Sequence, residues 1–281
     1  MRHFGEKVVL LHLNHSTLAR APVSEPLEFR ANNRDLTMQP RLRRHLLGYP
    51  VDNIDIPEAL SLVARFLQEE GLHHVVAINA NKLWLAEHGA EVRDILQCAE
   101  LVIPEYAVVW ACRALNRPLK AHVGGIMLLK ALLPWLERER VLVYFLGARP
   151  PVLEMMRSRM AAAHPRMLIA GMAPGYFEPR QESKIVSRIN RSGAAVLFVA
   201  MGSPRQELWI ERHRDDLAVK VAMGVGGSFD VLAGLKKDAP PWVRHGAEWI
   251  YRLAQDPKNL WKRYLATNPW LVYRVLRERL L

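Results

Sequence analysis

Glu105 is a candidate carboxylate for moving a proton. It follows the apolar run Leu101 to Ile103 and Pro104, so it stands where a strand ends and a general base can reach a substrate hydroxyl. The competing assignment is a first-turn acid favoured by the dipole of the following helix. Four further apolar runs end on small, amide or charged residues. Val75 to Ile78 leads into Asn79, Ala80 and Asn81, and Val141 to Leu146 leads into Gly147. Ala194 to Met201 leads into Gly202-Ser-Pro-Arg-Gln-Glu207. There Ser203 is expected to cap a helix, and Arg205, Gln206 and Glu207 put a cation, an amide and a carboxylate in its first turn. Val219 to Met223 leads into Gly224-Val-Gly-Gly-Ser-Phe-Asp230, whose glycines let backbone amides cradle a diphosphate or, more plainly, make a tight turn. This loop has neither the Lys-Ser/Thr of a P-loop nor the spacing of the dinucleotide fingerprint. His73, His74 and His122 lack a metal-ligand spacing and no Asp-x-Asp pair occurs, so no catalytic metal is expected.

The same pattern supplies the frame. These runs, with Met167 to Ala170 as a sixth, alternate with helix-like segments such as Ile126 to Glu137, Val152 to Ala163 and Gln181 to Arg191. Such alternation predicts an α/β fold: a Rossmann-like, mostly parallel sheet with helices on both faces and a ligand beyond the carboxyl ends of the strands. A nucleotide-type ligand is the natural candidate. Residues 1–45 lack sustained periodicity and read as a mobile N-terminal extension. Residues 46–235 read as the α/β catalytic domain, opening with a short strand over Leu46 to Val51, and residues 236–281 as a basic amphipathic helical segment.

Of the 281 residues, 39 are Lys or Arg and 28 Asp or Glu, giving a formal charge of +11, and half are apolar, which excludes wholesale disorder. Cys98 and Cys112 are too few for a disulfide scaffold or a four-thiolate zinc site and fit a reducing compartment. With no spanning apolar stretch and no signal-peptide core, the chain is expected in the cytoplasm. From Lys236 onward, ten basic residues accompany four acidic ones and four of the eight tryptophans, including Trp242. Trp249-Ile-Tyr-Arg252 and Trp261-Lys-Arg-Tyr264 suit a helix lying in a membrane interface; a core-packing helix with a solvated face fits equally. Nucleic-acid binding is the weaker reading of the charge, because no groove-reading or base-stacking motif accompanies it.

Taken in order, Asn79-Ala-Asn81, Ile103-Pro-Glu105, Gly124-Gly125, Phe145-Leu-Gly147, Pro174-Gly-Tyr-Phe177, the two loops above and Ala247-Glu-Trp-Ile-Tyr-Arg252 resemble the WecG/TagA/CpsF glycosyltransferases over about Leu46 to Tyr264. The resemblance implies transfer of a sugar from a UDP-sugar to a lipid-linked (polyprenyl-diphosphate) sugar acceptor during bacterial surface-polysaccharide or teichoic-acid assembly. It also implies inversion at the anomeric carbon, no metal and no cofactor. The basic C-terminal segment would meet the inner face of the cytoplasmic membrane and help complete the site. Whether the chain forms a homo-oligomer is left open.

Three motifs depart from the family pattern. Its Pro-Asp-Gly motif falls on Pro104, Glu105 and Tyr106; its Asn-Pro-Glu-like loop on Asn79, Ala80, Asn81 and Lys82; and its Lys-Arg-Ala-Pro motif on Lys237, Asp238, Ala239 and Pro240. On these placements Glu105 takes the acceptor proton while Asn79 and Asn81 line the sugar or acceptor pocket. Gly147, Gly202, Gln206, Glu207, Gly224, Gly226, Gly227, Asp230 and Arg252 are assigned to donor binding, the amides of Gly224 to Ser228 and Arg252 meeting the leaving-group charge. With Asp238 in place of a cation, Lys236, Lys237 or Arg252 is expected to compensate. The rival reading is a catalytically impaired UDP-sugar-binding protein of the same fold.

Overall fold

Alternate residues of each central strand face opposite cores in the computed structural model of the protein, which describes residues 43–240, 243 and 248–280. The chain opens with a hairpin of β1 (Arg43–Leu46) and β2 (Tyr49–Asp52), followed by α1 (Ile56–Phe66) and β3 (His73–Ile78). Next come α2 (Ala80–His88), α3 (Ala90–Cys98), β4 (Leu101–Pro104), α4 (Tyr106–Ala114) and α5 (Gly125–Arg138). The second half holds β5 (Val143–Gly147), α6 (Pro150–Ala163), β6 (Ile169–Ala173), α7 (Glu182–Arg191), β7 (Val196–Ala200), α8 (Arg205–Arg212), β8 (Val221–Gly224) and α9 (Ser228–Leu232). Two helices end the described chain, α10 (Glu248–Gln255) and α11 (Pro257–Leu280).

Among the described residues β3 to β8 form one six-stranded parallel sheet in the order β4-β3-β8-β7-β5-β6. Val75 and Ala77 of β3, Phe145 of β5, Phe198 of β7 and Met223 of β8 enter one core, closed by α1, α5, α6 and α9. Their neighbours Val76 and Ile78 pack under α2, α3 and α4, while Leu146, Val199 and Ala222 pack under α7 and α8. Covering both faces explains why the strands read as continuous apolar runs. The expected α/β fold, with helices on both faces, is what the chain adopts.

Several elements differ from the sequence reading. The expected strand over Leu46 to Val51 is a hairpin, because Leu47 (φ 51°) and Gly48 (φ 84°) adopt the two left-handed conformations that a two-residue turn demands. Ser203 does not cap α8; Pro204 holds the N-cap position after a cis peptide bond, and Ser203 Oγ is buried without a hydrogen-bond partner. Helix α3 has no counterpart in the apolar periodicity. Strand β6 starts two residues later than the run Met167 to Ala170, and its Gly171 lies so close to Tyr144 that a Cβ would come within 2.4 Å of the ring. Of the expected extension over residues 1–45, residues 43–45 belong to β1, paired with β2, and residues 1–42, together with Trp242 and Ala247, lie outside the described residues.

The site is positioned by the direction of two connections. The loop after β3 turns to α2 on one face of the sheet and the loop after its neighbour β8 turns to α9 on the other, which opens a crevice between them. Across its mouth lies α11, packed on α2 and α4 through the buried Leu271 and Val275. An ion pair between Arg274 and Glu87 and another between Arg117 and Glu278 at 2.7 Å hold it there.

Candidate active site

The crevice encloses a cavity of about 550 Å³. Its floor is made by strand ends: Asn79, Asn81 and Lys82 after β3, Glu105 and Tyr106 after β4, Gly202, Ser203 and Gln206 after β7, and Gly224 to Ser228 after β8. Gly125 and Ile126 supply one wall from the N-terminus of α5. The opposite wall is Trp249 and Arg252 of α10 with Arg263, Tyr264, Thr267, Asn268, Leu271 and Val272 of α11.

Glu105 stays extended (φ −77°, ψ 165°) as the N-cap residue of α4, but its side chain makes no capping bond. Instead its Oε2 accepts from Asn79 Nδ2 at 3.2 Å. The neighbouring strand orders this meeting, because the Glu105 amide donates to the Ile78 carbonyl one step beyond the β3–β4 ladder. Asn79 also starts a helix, since its Oδ1 caps α2 by accepting from the Lys82 amide at 3.0 Å. The Val123 amide donates to the Pro104 carbonyl, which sets Gly124 and Gly125 beside the carboxylate; a Cβ on Gly125 would meet Glu105 Oε1 at 4.0 Å. Tyr106 enters the cavity edge-on to His122, with ring centroids 6.0 Å apart.

The glycine loop is pinned from below. Gln206 Oε1 accepts from the Gly226 amide at 3.0 Å, and Gly226 is left-handed at φ 53°. Gln206 Nε2 donates to Glu207 Oε1 at 2.7 Å, and the same oxygen pairs with Lys82 Nζ at 3.0 Å. Lys82 and Glu207 are 4% and 2% exposed. Burial pushes the Glu207 carboxyl upward, but the Lys82 charge and the donors of Gln206 and Lys82 outweigh it and hold the group below its ordinary value.

Nine of the residues expected from sequence line the cavity together: Asn79, Asn81, Glu105, Gly202, Gln206, Gly224, Gly226, Gly227 and Arg252. Three assigned to donor binding do not. Gly147 packs on the next strand, where a Cβ would lie 2.4 Å from the Ala200 carbonyl oxygen; its smallness serves the sheet. Glu207 is sealed behind Gln206 by its bond to Lys82. Asp230 turns away to Lys236 at 3.3 Å, and Lys236 also meets Asp256 at 2.9 Å, so neither faces the ligand space. Asp238 pairs with Lys130 of α5 at 2.6 Å.

Sequence reasoning misses Arg263, with Tyr264, Thr267 and Asn268. The spacing carries a signal: Arg263, Thr267 and Leu271 recur every fourth residue, as do Tyr264, Asn268 and Val272, so they form one stripe of a helix. Three buried polar atoms around the cavity have no hydrogen-bond partner, namely Ser203 Oγ, Arg263 Nε and Thr267 Oγ1. Among the described residues no group of three His, Cys, Asp or Glu side chains is gathered to hold a metal ion.

The fold and the site together define a Rossmann-like α/β protein with a cavity at the carboxyl edge of its sheet, lined by a carboxylate, a glycine loop and arginines. Over residues 44–281 the sequence matches the Glycosyl transferase WecG/TagA/CpsF family, and the chain belongs to that glycosyltransferase family.

Proposed function

We propose that the protein is an inverting, metal-independent glycosyltransferase that moves a sugar from a UDP-sugar to a polyprenyl-diphosphate-linked sugar in bacterial surface-polysaccharide assembly. The observation that carries this reading is the opposition of Glu105 to the Gly224–Ser228 loop across one cavity whose far wall bears Arg252 and Arg263. A diphosphate fits beside the Gly227 amide and the two guanidinium groups, and an acceptor hydroxyl fits beside Glu105.

The chemistry follows. Glu105 accepts the hydroxyl proton as the acceptor oxygen bonds to the anomeric carbon, and the bond from that carbon to the diphosphate oxygen breaks on the opposite face. UDP leaves with the bonding electrons. The charge growing on it meets the amide of Gly227 and the side chains of Arg252 and Arg263.

The membrane-facing part of the reading is supported by exposed apolar residues on the last two helices, including Trp249, Ile250, Trp261, Leu265 and Tyr273, interleaved with Lys262 and Arg277. Among the described residues no helix is long and apolar enough to cross a membrane. Contact would therefore be peripheral, at the cytoplasmic face.

The test is release of UDP from a panel of UDP-sugars, with and without a short-chain polyprenyl-diphosphate-sugar, by the full chain and by Glu105→Gln. Acceptor-dependent release lost in the variant is the expected result. UDP binding without release from any donor would instead support a binding protein of the same fold.

A further inference from the structure

The Lys82–Glu207 pair lies beneath the cavity, and a buried pair of charges is a poor way to stabilise a fold. Burying them costs desolvation that apolar side chains of similar volume would avoid, so such pairs are often neutral or unfavourable against an apolar replacement. What this pair does supply is direction, because an ammonium and a carboxylate hold their partners at defined angles and short distances.

Those partners form a continuous chain across the cavity floor. Glu105 Oε2 accepts from Asn79 at 3.2 Å, and Asn79 accepts from the Lys82 amide at 3.0 Å. Lys82 Nζ donates to the Ala77 carbonyl at 2.7 Å and pairs with Glu207 Oε1 at 3.0 Å. Glu207 Oε1 accepts from Gln206 at 2.7 Å, and Gln206 accepts from the Gly226 amide at 3.0 Å. One end is the carboxylate that faces the acceptor and the other is the loop that faces the diphosphate. The central link ties the first turn of α2 to β3 and to α8.

We propose that Lys82 and Glu207 are positioning residues that couple the Glu105 carboxylate to the Gly226 amide, so that the base and the diphosphate loop are placed as one unit. The pair touches neither reacting atom. With it removed, the first turn of α2 loosens its hold on Asn79 and Gln206 its hold on Gly226, and both halves of the site drift. This rests on the reading of Glu105 and the glycine loop given above.

The decisive variant replaces both charges together, Lys82→Met with Glu207→Met, because losing one partner alone strands the other in the interior. The full chain carrying both changes is expected to melt within about 4 °C of the parent. UDP affinity, measured by calorimetry, is expected to fall about tenfold and kcat about 100-fold. A structural role alone would leave both parameters at parental values in protein that melts normally, and that result overturns the proposal. If the double variant does not fold, Glu207→Gln, which keeps the shape and drops the countercharge, is expected to lower UDP affinity and kcat together; parental values of both would again overturn it. The parent and Glu105→Gln are measured alongside. A parent that binds no UDP, or a Glu105→Gln protein with full turnover, removes the reading beneath the proposal and the proposal with it. A parent that binds UDP, an inactive Glu105→Gln and an unimpaired double variant remove the proposal alone.

Discussion

Asn79 donates through Nδ2 to Glu105 Oε2 at 3.2 Å while its Oδ1 caps α2 at the Lys82 amide. One amide therefore orients the carboxylate and starts a helix, and its two ends can be separated by substitution. Asn79→Ala loses both contacts: the lost cap is expected to cost about 1 kcal/mol of stability. Asn79→Asp keeps the cap but sets a second carboxylate against Glu105, so it should retain the parental melting temperature and lose more turnover than Asn79→Ala. Thermal melts and kcat on the pair of variants check this.

Gly224 has no room for a side chain. A Cβ there would stand 2.5 Å from Gln206 Nε2 and 3.0 Å from Glu207 Oε1, so Gly224→Ala must push Gln206 off its contact with the Gly226 amide. UDP affinity should fall about tenfold, or roughly 1.4 kcal/mol, as read by calorimetry.

At the opposite end of the sheet, the His74 hydrogen bond pulls the Glu211 carboxyl down to about 2; burial opposes the shift and Arg214 reinforces it. A carboxyl depressed in the folded state adds stability above its unfolded value of 4.5, and that contribution is lost as the pH falls toward 2. Glu211→Gln should therefore melt below the parent at pH 7. The gap should narrow steadily between pH 4.5 and 2, which melts across that range would show.

Asp52 is fully buried and accepts from the Val102 amide at 2.7 Å and from Arg43 Nε at 3.0 Å, joining the hairpin to β4. Asp52→Ala should cost about 2 to 4 kcal/mol in denaturant unfolding, since it strands a buried amide and removes the partner of a cation. Glu105 and the glycine loop take no part in this contact, so UDP affinity of the folded variant should match the parent.

On the outer surface of α11, Trp261 is 48% and Leu265 68% exposed. Changing both to Ser should weaken binding to anionic phospholipid vesicles, measured by co-sedimentation, and leave UDP affinity unchanged because neither lines the cavity. Equal sedimentation of parent and variant would count against that surface meeting lipid.

The strands are legible because burial on both faces leaves them as unbroken β-branched runs, and the residue after each run then falls on the ligand edge. Asn79, Glu105 and the glycines are found in that way. What sequence does not supply is apposition. Nothing local in Arg263 or Thr267 says that the face of α11 they occupy lies over α2 and α4. Nothing in Glu207 says that its partner is a lysine 125 positions away that seals it from the ligand. Helix α3 escapes for a local reason: it follows Gly89 with no side-chain cap and mixes Glu91, Arg93 and Asp94 among its three buried residues.

The sheet order acts as a ruler. Glu105 follows β4 and the glycine loop follows β8, with β3 between them, so the two working groups are separated by two strand spacings, about 10 Å laterally. Backbone hydrogen bonds set that gauge, and no side-chain substitution can rescale it. The only adjustable length is how far each side chain projects from its strand end. Glutamate at position 105, one methylene longer than aspartate, changes the reach while leaving the gauge untouched, and Tyr106 beside it lines the same cavity. On the proposed reading, acceptor choice becomes a matter of reach read against that fixed scale.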